Sequence, residues 1–236
     1  MGFMQGRCCI IKVGRTFGEL VARRGDFEDW IRTGLGSDRA WRVVDAAAGA
    51  SLPAPDELAA VVITGSHAMV SEAAPWSLGI ERWLSGVLAR RVPVLGICYG
   101  HQLLARACGG EVGFNPRGLE LGCVEVRLSA AAHDDPLFGG LPDRFVAPVT
   151  HAQSVLRPPP GARVLAANDH DPHQALRLGA SAWGVQFHPE FDREATQVYV
   201  DRQIDALGAR GSEVEVVDTP EAAGLLQRFA ALVSGR

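Results

Sequence analysis

Two hydrophobic periods alternate through the first half of the chain. RCCIIKV (7–13) is a short apolar run that reads as a buried strand, and GDFEDWIRTGL (25–35) carries Phe27, Trp30 and Ile31 at helical spacing. WRVVDAA (41–47) and LAAVVITGS (58–66) read as two further strands, the second ending in a Gly-Ser turn. PWSLGIERWLSGVLARR (75–91) opens on Pro75, a helix-start signal, and sets Leu78, Trp83, Leu84 and Leu88 along one predicted helix. VPVLGIC (92–98) is the fourth strand, and YGHQLLARACGG (99–110) the helix that follows it at once. Strands with few charges, separated by helices, predict a mostly parallel sheet covered on both faces, an open α/β fold.

The second half has a different rhythm. LELGCVEVRLS (119–129) alternates in part, as an antiparallel or edge strand does. RFVAPVTHAQSV (144–155), ARVLAAN (162–168), ALRLG (175–179) and AWGVQFH (182–188) are short strand candidates broken by Pro, Gly, Asn and Asp. A helix is predicted from Asp192 to about Leu207, then a polar stretch over 208–218. A last helix over about 219–234 is predicted to be capped by Thr219, with Pro220 at its first position and Leu225, Leu226, Phe229 and Leu232 as its stripe. RPPPGA (157–162) reads as a stiff loop rather than a linker, so the expectation is one domain over 1–236, with a core over about 7–207.

Composition narrows the function. The 236 residues are 47% hydrophobic, enough for one large domain with a sizeable core. A formal net charge of -4 provides no basic field for nucleic acid. Apolar stretches fall short of a membrane span, and the apolar run before Lys12 is too short for a signal-peptide core. The five cysteines, Cys8, Cys9, Cys98, Cys108 and Cys123, are odd in number and form no CxxC pair. That pattern fits free thiols in a reducing cytoplasm. Neither a phosphate-binding GxxxxGK[ST] loop nor a GxGxxG fingerprint occurs, and no nucleotide cofactor is expected. His170 and His173 in NDHDPHQ read as a polar turn rather than a metal site, so no metal is expected either.

Candidate chemistry gathers in two places. In Gly96-Ile97-Cys98-Tyr99-Gly100 a strand becomes a helix at a cysteine flanked by glycines two residues away on each side. A sharp turn needs such glycines, because side chains there collide. The sulfur then projects from the C-terminal edge of the sheet, at a helix N-terminus whose partial positive charge favours a thiolate. The Tyr99 N–H is placed to donate to an oxyanion. The bland alternative is a buried cysteine at a glycine-rich turn. The second place is His188-Pro189-Glu190, after a strand-like run. Proline holds its neighbour extended, so the imidazole and the carboxylate keep a fixed relation. A cysteine nucleophile needs such a base, and the base needs such an orienting group. Here the bland alternative is a histidine at a strand end beside a solvated glutamate.

GICYGHQ and QFHPE, in this order, resemble the class I glutamine amidotransferases over residues of about 60–191, and the chain is similar to free-standing relatives of the GMP synthetase amidotransferase part. The resemblance implies a flavodoxin-like α/β fold with extra short antiparallel strands in the second half. It implies that Cys98 attacks a γ-glutamyl amide, that His188 shuttles the proton and that Glu190 orients His188. It further implies that Gly65 supplies the second oxyanion N–H, with Gly65-Ser66-His67 standing where many members have Gly-Gly-Pro. Gln102 matches the residue that holds the amino-acid end of the substrate. THAQSV (150–155) matches a His-x-Asp-x-Val loop, so His151 and Gln153 are expected at the substrate, with Gln153 where many members carry an acid.

The 45 residues after Phe191 are too few for an ATP-dependent synthetase domain. The chain is therefore expected either to hydrolyse alone or to deliver ammonia to a separate synthetase partner. Two readings stay open beside glutamine hydrolysis. One is a γ-glutamyl hydrolase or transpeptidase acting on another γ-glutamyl compound. The other is a non-catalytic glutamine-binding or partner-regulating module, against which the complete Cys-His-Glu set and both elbow glycines argue. A cysteine-containing α/β hydrolase fits less well, since its acid would precede the histidine.

Overall fold

The computed structural model describes residues 6–235, and 209–213 by their backbone alone, so part of the polar stretch over 208–218 lies outside the described side chains. Its centre is a nine-stranded sheet. The strands of the first half are β1 (Arg7–Lys12), β2 (Trp41–Asp45), β3 (Leu58–Ile63) and β4 (Val94–Ile97). They pair in parallel in the order β2-β1-β3-β4. Both faces of β1 are buried: Cys8 and Ile10 point into one apolar layer, and Cys9, Ile11 and Val13 into the other. Successive side chains of a strand alternate between faces, and that is why this run carries no polar alternation.

Helices cover each face. On one side α2 (Phe27–Leu35) packs with α7 (Pro220–Ser234), through Ile31 and Leu35 against Leu225, Leu226 and Phe229. On the other side α3 (Pro75–Ala89) packs with α4 (Tyr99–Ala107), through Ile80, Leu84 and Val87 against Leu103 and Leu104. Phe229 is wholly buried, which contributes about 1.5–3 kcal/mol. The buried stripe of α3 is Ser77, Ile80, Leu84 and Val87, rotated from the predicted one, and Leu78 is exposed. Thr219 stands at the N-cap of α7 as predicted, but its side chain makes no capping hydrogen bond.

Besides two single-turn 3₁₀ segments, Pro55–Glu57 and Val70–Glu72, three short elements escaped the sequence reading: α1 (Gly18–Arg24), β5 (Glu111–Phe114) and α5 (Ala130–His133). The antiparallel half of the sheet consists of β6 (Glu120–Leu128), β7 (Arg144–His151), β9 (Arg163–Ala167) and β10 (Ala175–Leu178). RFVAPVTHAQSV is two strands rather than one. Its chain leaves the large sheet at Ala152 and becomes β8 (Gln153–Arg157), which pairs with β5 as a separate two-stranded ribbon. The predicted helix from Asp192 is α6 (Arg193–Gln203), capped by the Asp192 carboxylate accepting from the Ala195 N–H. It continues as a tighter 3₁₀ segment, Ile204–Glu213, that kinks at Gly208.

The strand that completes the sheet is β11 (Ala182–Val185). It lies parallel to β4, with Val185 opposite Ile97, and antiparallel to β10. This one pairing brings Cys98, at the end of β4, beside the start of QFHPE. No helix among the described residues is long and apolar enough to cross a membrane.

Candidate active site

Cys98 sits between β4 and α4 with φ 48° and ψ −100°. A non-glycine residue held there carries about 1–3 kcal/mol of strain, so the surroundings must impose it. They do so by close backbone approach. A methyl group on Gly96 would stand 2.4 Å from the Gly100 carbonyl oxygen, and one on Gly100 would stand 2.5 Å from that of Ile63. The Cys98 N–H donates to Val185 O at 2.8 Å, tying the turn to β11. The side chain is buried, with the sulfur 3.9 Å from the carbonyl oxygen of Thr150.

His188 leaves β11 on a turn closed by the Phe191 N–H donating to His188 O. Its own N–H donates to Pro148 O at 2.8 Å, which fixes the turn to β7. Within it Nδ1–H donates to Glu190 Oε1 at 2.8 Å, and the ring stacks on Phe191 at 4.2 Å. The remaining nitrogen, Nε2, is buried without a hydrogen-bond partner in the described structure. Burial works against an imidazolium, yet the negative charge of Glu190 and the sulfur of Cys98 outweigh it and push His188 up to about 10. Gly65 closes the triangle: a methyl group there would stand 3.0 Å from His188 Cε1 and 3.8 Å from Cys98 Cβ. The Tyr99 N–H is the first of α4 and has no acceptor within its own helix.

A cavity of about 370 Å³ opens over the sulfur. Gln102, His151 and Gln153 all line it, but they differ in what they can offer. Gln102 Nε2 donates to Gln153 O at 2.7 Å and to Gln186 Oε1 at 3.0 Å, so Oε1 is the atom it presents to a ligand. Gln153 is tied at both ends to Ser71, accepting from its N–H at 3.2 Å and donating to its hydroxyl at 2.5 Å. His151 lies between two acceptors, Glu120 Oε2 at 2.7 Å and Gln153 O at 3.0 Å, so both ring nitrogens donate. Burial alone would lower it; the bond to Glu120 raises it, and Glu120 itself is held low by His151 against its own burial. The polar ends of His151 and Gln153 thus shape the floor of the cavity. His170 and His173 are tied to the carbonyl oxygens of Gly118 and Val155, which keeps the NDHDPHQ turn a structural loop.

The far wall comes from residues outside GICYGHQ and QFHPE. Phe17, Phe27, His67 and Tyr199 line the cavity together. The Asp26 carboxylate accepts from the N–H of Thr16 and of Phe27 and from Lys12 Nζ at 2.7 Å, so one buried group anchors the segments carrying both phenylalanines. His67 Nε2 lies 2.8 Å from the Tyr199 hydroxyl, which is itself 3.0 Å from Thr16 Oγ1. The only advance sign was His67 itself, a departure in the turn after Gly65; Tyr199 and Phe17 reach the site through tertiary packing alone.

Comparison with known proteins places the chain in a family. The family model for glutamine amidotransferase class-I matches residues 56–205. A glutamine-hydrolyzing GMP synthase of Aeropyrum pernix is 38% identical over 182 residues, 77% of this chain and 32% of that protein. The chain thus spans about a third of that relative's length. One of the subunits of the glutamine-hydrolyzing GMP synthase of Ignicoccus hospitalis is 37% identical over 143 residues, 59% of this chain and 72% of that one. Among solved structures, a glutamine amidotransferase of Thermotoga maritima has a TM-score of 0.68 at 22% identity, covering 97% of this chain and 94% of its own. A glutamine amidotransferase of Methylobacillus flagellatus has a TM-score of 0.67 at 22% identity, covering 97% and 92%. Both share the fold.

Proposed function

The chain belongs to the class-I glutamine amidotransferase family, and from that premise we propose that it cleaves the side-chain amide of glutamine through a thioester on Cys98 and releases ammonia. The observation that carries this reading is Cys98, held on a strained turn, beside a buried His188 whose Nδ1 is fixed by Glu190.

The steps follow from the geometry. With His188 pushed up, the imidazolium is the form present at neutral pH. The Cys98 sulfur bonds to the amide carbon, and the carbonyl oxygen becomes an oxyanion. The N–H groups of Tyr99 and Gly65 receive that charge; one such donor contributes about 10²–10³-fold. His188 Nε2 gives its proton to the amide nitrogen, the C–N bond breaks and ammonia leaves. Water then adds to the thioester carbon, giving its proton to Nε2, and the C–S bond breaks to release glutamate. Gln102 Oε1 accepts from the substrate α-ammonium, the role its donors leave open.

The ammonia has a further destination in this reading. The Ignicoccus hospitalis relative is by its name one component of a divided GMP synthase, and this chain covers 72% of it, which supports delivery to a separate synthetase. Ammonia release from glutamine tests both levels. The wild type should release it and Cys98→Ala should not, and adding the synthetase partner should raise the wild-type rate. Equal release by Cys98→Ala would remove the thioester reading, and a rate indifferent to the partner would count against delivery.

A further inference from the structure

The reaction sorts the two ends of the cavity. The leaving nitrogen takes its proton from His188 Nε2, so whatever that nitrogen carries must lie on the His188 side of Cys98. The acyl chain lies on the other side, toward Gln102 and the Thr150–Gln153 segment. The His188 side is aromatic. Phe27 stacks on His188 with centroids 6.3 Å apart and meets His67 edge-on at the same separation. Phe17 lies 4.7 Å from His67 and 4.7 Å from Tyr199. Phe17 and His67 present the open surface of this wall, backed by the buried rings of Phe27 and Tyr199 and held rigid by the His67–Tyr199–Thr16 chain. Ammonia is small and polar and gains nothing from such a surface, while an aromatic substituent buries its faces there. A cavity of about 370 Å³ falls within the range of about 300–1,000 Å³ that encloses drug-sized ligands.

We propose that this wall is a leaving-group subsite and that the γ-glutamyl amide of an aromatic amine is a substrate of the enzyme. The proposal rests on the amidohydrolase reading above. Its chemistry is the same: the Cys98 sulfur bonds to the γ-carbon, the C–N bond breaks, and the nitrogen takes the Nε2 proton, so a neutral aromatic amine leaves in place of ammonia. Water then completes hydrolysis to glutamate. At the outer end of the wall the Arg202 guanidinium lies 4.6 Å over the Phe17 ring, paired with Glu19. An amine that carries its own carboxylate would meet that cation. The aromatic amine could thus come from a simple arylalkylamine or from an aromatic amino acid in a γ-glutamyl peptide.

The test compares kcat/KM for glutamine, γ-glutamylethylamide, γ-glutamylphenethylamide and γ-glutamylphenylalanine, together with mass analysis of the acyl-enzyme. Phenethylamide should exceed ethylamide by about tenfold or more, the scale of discrimination that apolar pockets reach. Phe17→Ala should bring that ratio close to one, and Phe17→Leu, which keeps an apolar side chain for folding, should lower it several-fold. A further gain for γ-glutamylphenylalanine that disappears in Arg202→Ala assigns the peptide source; no gain assigns the simple amine. Glutamine turnover with phenethylamide no better than ethylamide overturns the subsite and leaves the amidohydrolase reading standing. Absence of ammonia, of amine and of any γ-glutamyl thioester from all four compounds overturns both.

Discussion

His188 holds a proton that burial alone would strip from it. Glu190 2.8 Å from Nδ1 and the nearby sulfur reverse the balance, and the imidazolium persists up to about 10. Removing the proton carrier should therefore cost more than neutralising its partner: His188→Ala should lose about 10²–10⁴-fold in kcat/KM, and Glu190→Gln less. The sign of the pH effect is also set. The protonated form is lost as pH rises through the folded value, so the basic limb of kcat/KM should lie near pH 10 in the wild type. In Glu190→Gln it should move down toward the ordinary histidine value of about 6.5. A basic limb at the same pH in both proteins would show that Glu190 does not hold the proton on His188. At this scale the site was legible where chemistry is encoded by covalent neighbours: the glycines around Cys98 and the proline between His188 and Glu190. Tyr199 was not legible, because it reaches the site only through packing between separate elements, and His67 was marked only as the residue standing where many members have proline.

The strand-to-helix turn at Cys98 exists only because two backbones can pass within contact distance of it. Gly100→Ala would drive a methyl group to 2.5 Å from a backbone oxygen of β3, and backbone there cannot yield as a flexible side chain does. Overpacking of this kind costs about 1–3 kcal/mol, or about 2–4 °C of Tm per kcal/mol for a chain of this size. Gly79→Ala in α3 is the control, since nothing lies within 4 Å of the added methyl. It should be neutral or gain about 0.5–1 kcal/mol from reduced backbone freedom. Equal Tm changes in the two variants would contradict the close-approach account. Elements with a full apolar period were readable in advance. β5 was not, because its two-stranded ribbon leaves the strand half exposed, with Phe114 64% exposed. The break at Ala152 was not, because no Gly or Pro marks it between Thr150 and Ser154 while the hydrogen-bonding partner changes from β6 to β5. The stripe of α3 was misplaced because Leu and Trp occur around much of that helix, and only packing on α4 selects Ile80, Leu84 and Val87.

Across the whole molecule, the proposed function depends on the insertion of β11 beside β4. The alternation of strands and helices made the parallel half legible, but the position of AWGVQFH at the centre of the sheet was not. A short apolar run carries no record of its neighbour, and its parallel pairing with a strand so far back along the chain is a long-range choice. That choice brings residues 98 and 188 together, lays the Thr150–Gln153 segment over the sulfur and leaves the aromatic wall opposite. The central claim is that this assembly acylates Cys98 with the γ-glutamyl group of glutamine. It is tested most directly by mixing the protein with glutamine, quenching in acid within the first turnovers and mapping the modified peptide by mass spectrometry. A γ-glutamyl adduct confined to Cys98, absent from Cys98→Ala and forming about 10²–10⁴-fold more slowly in His188→Ala, is the predicted result. Ammonia release that proceeds with no adduct on Cys98, or an adduct on Cys108 or Cys123 instead, would contradict it.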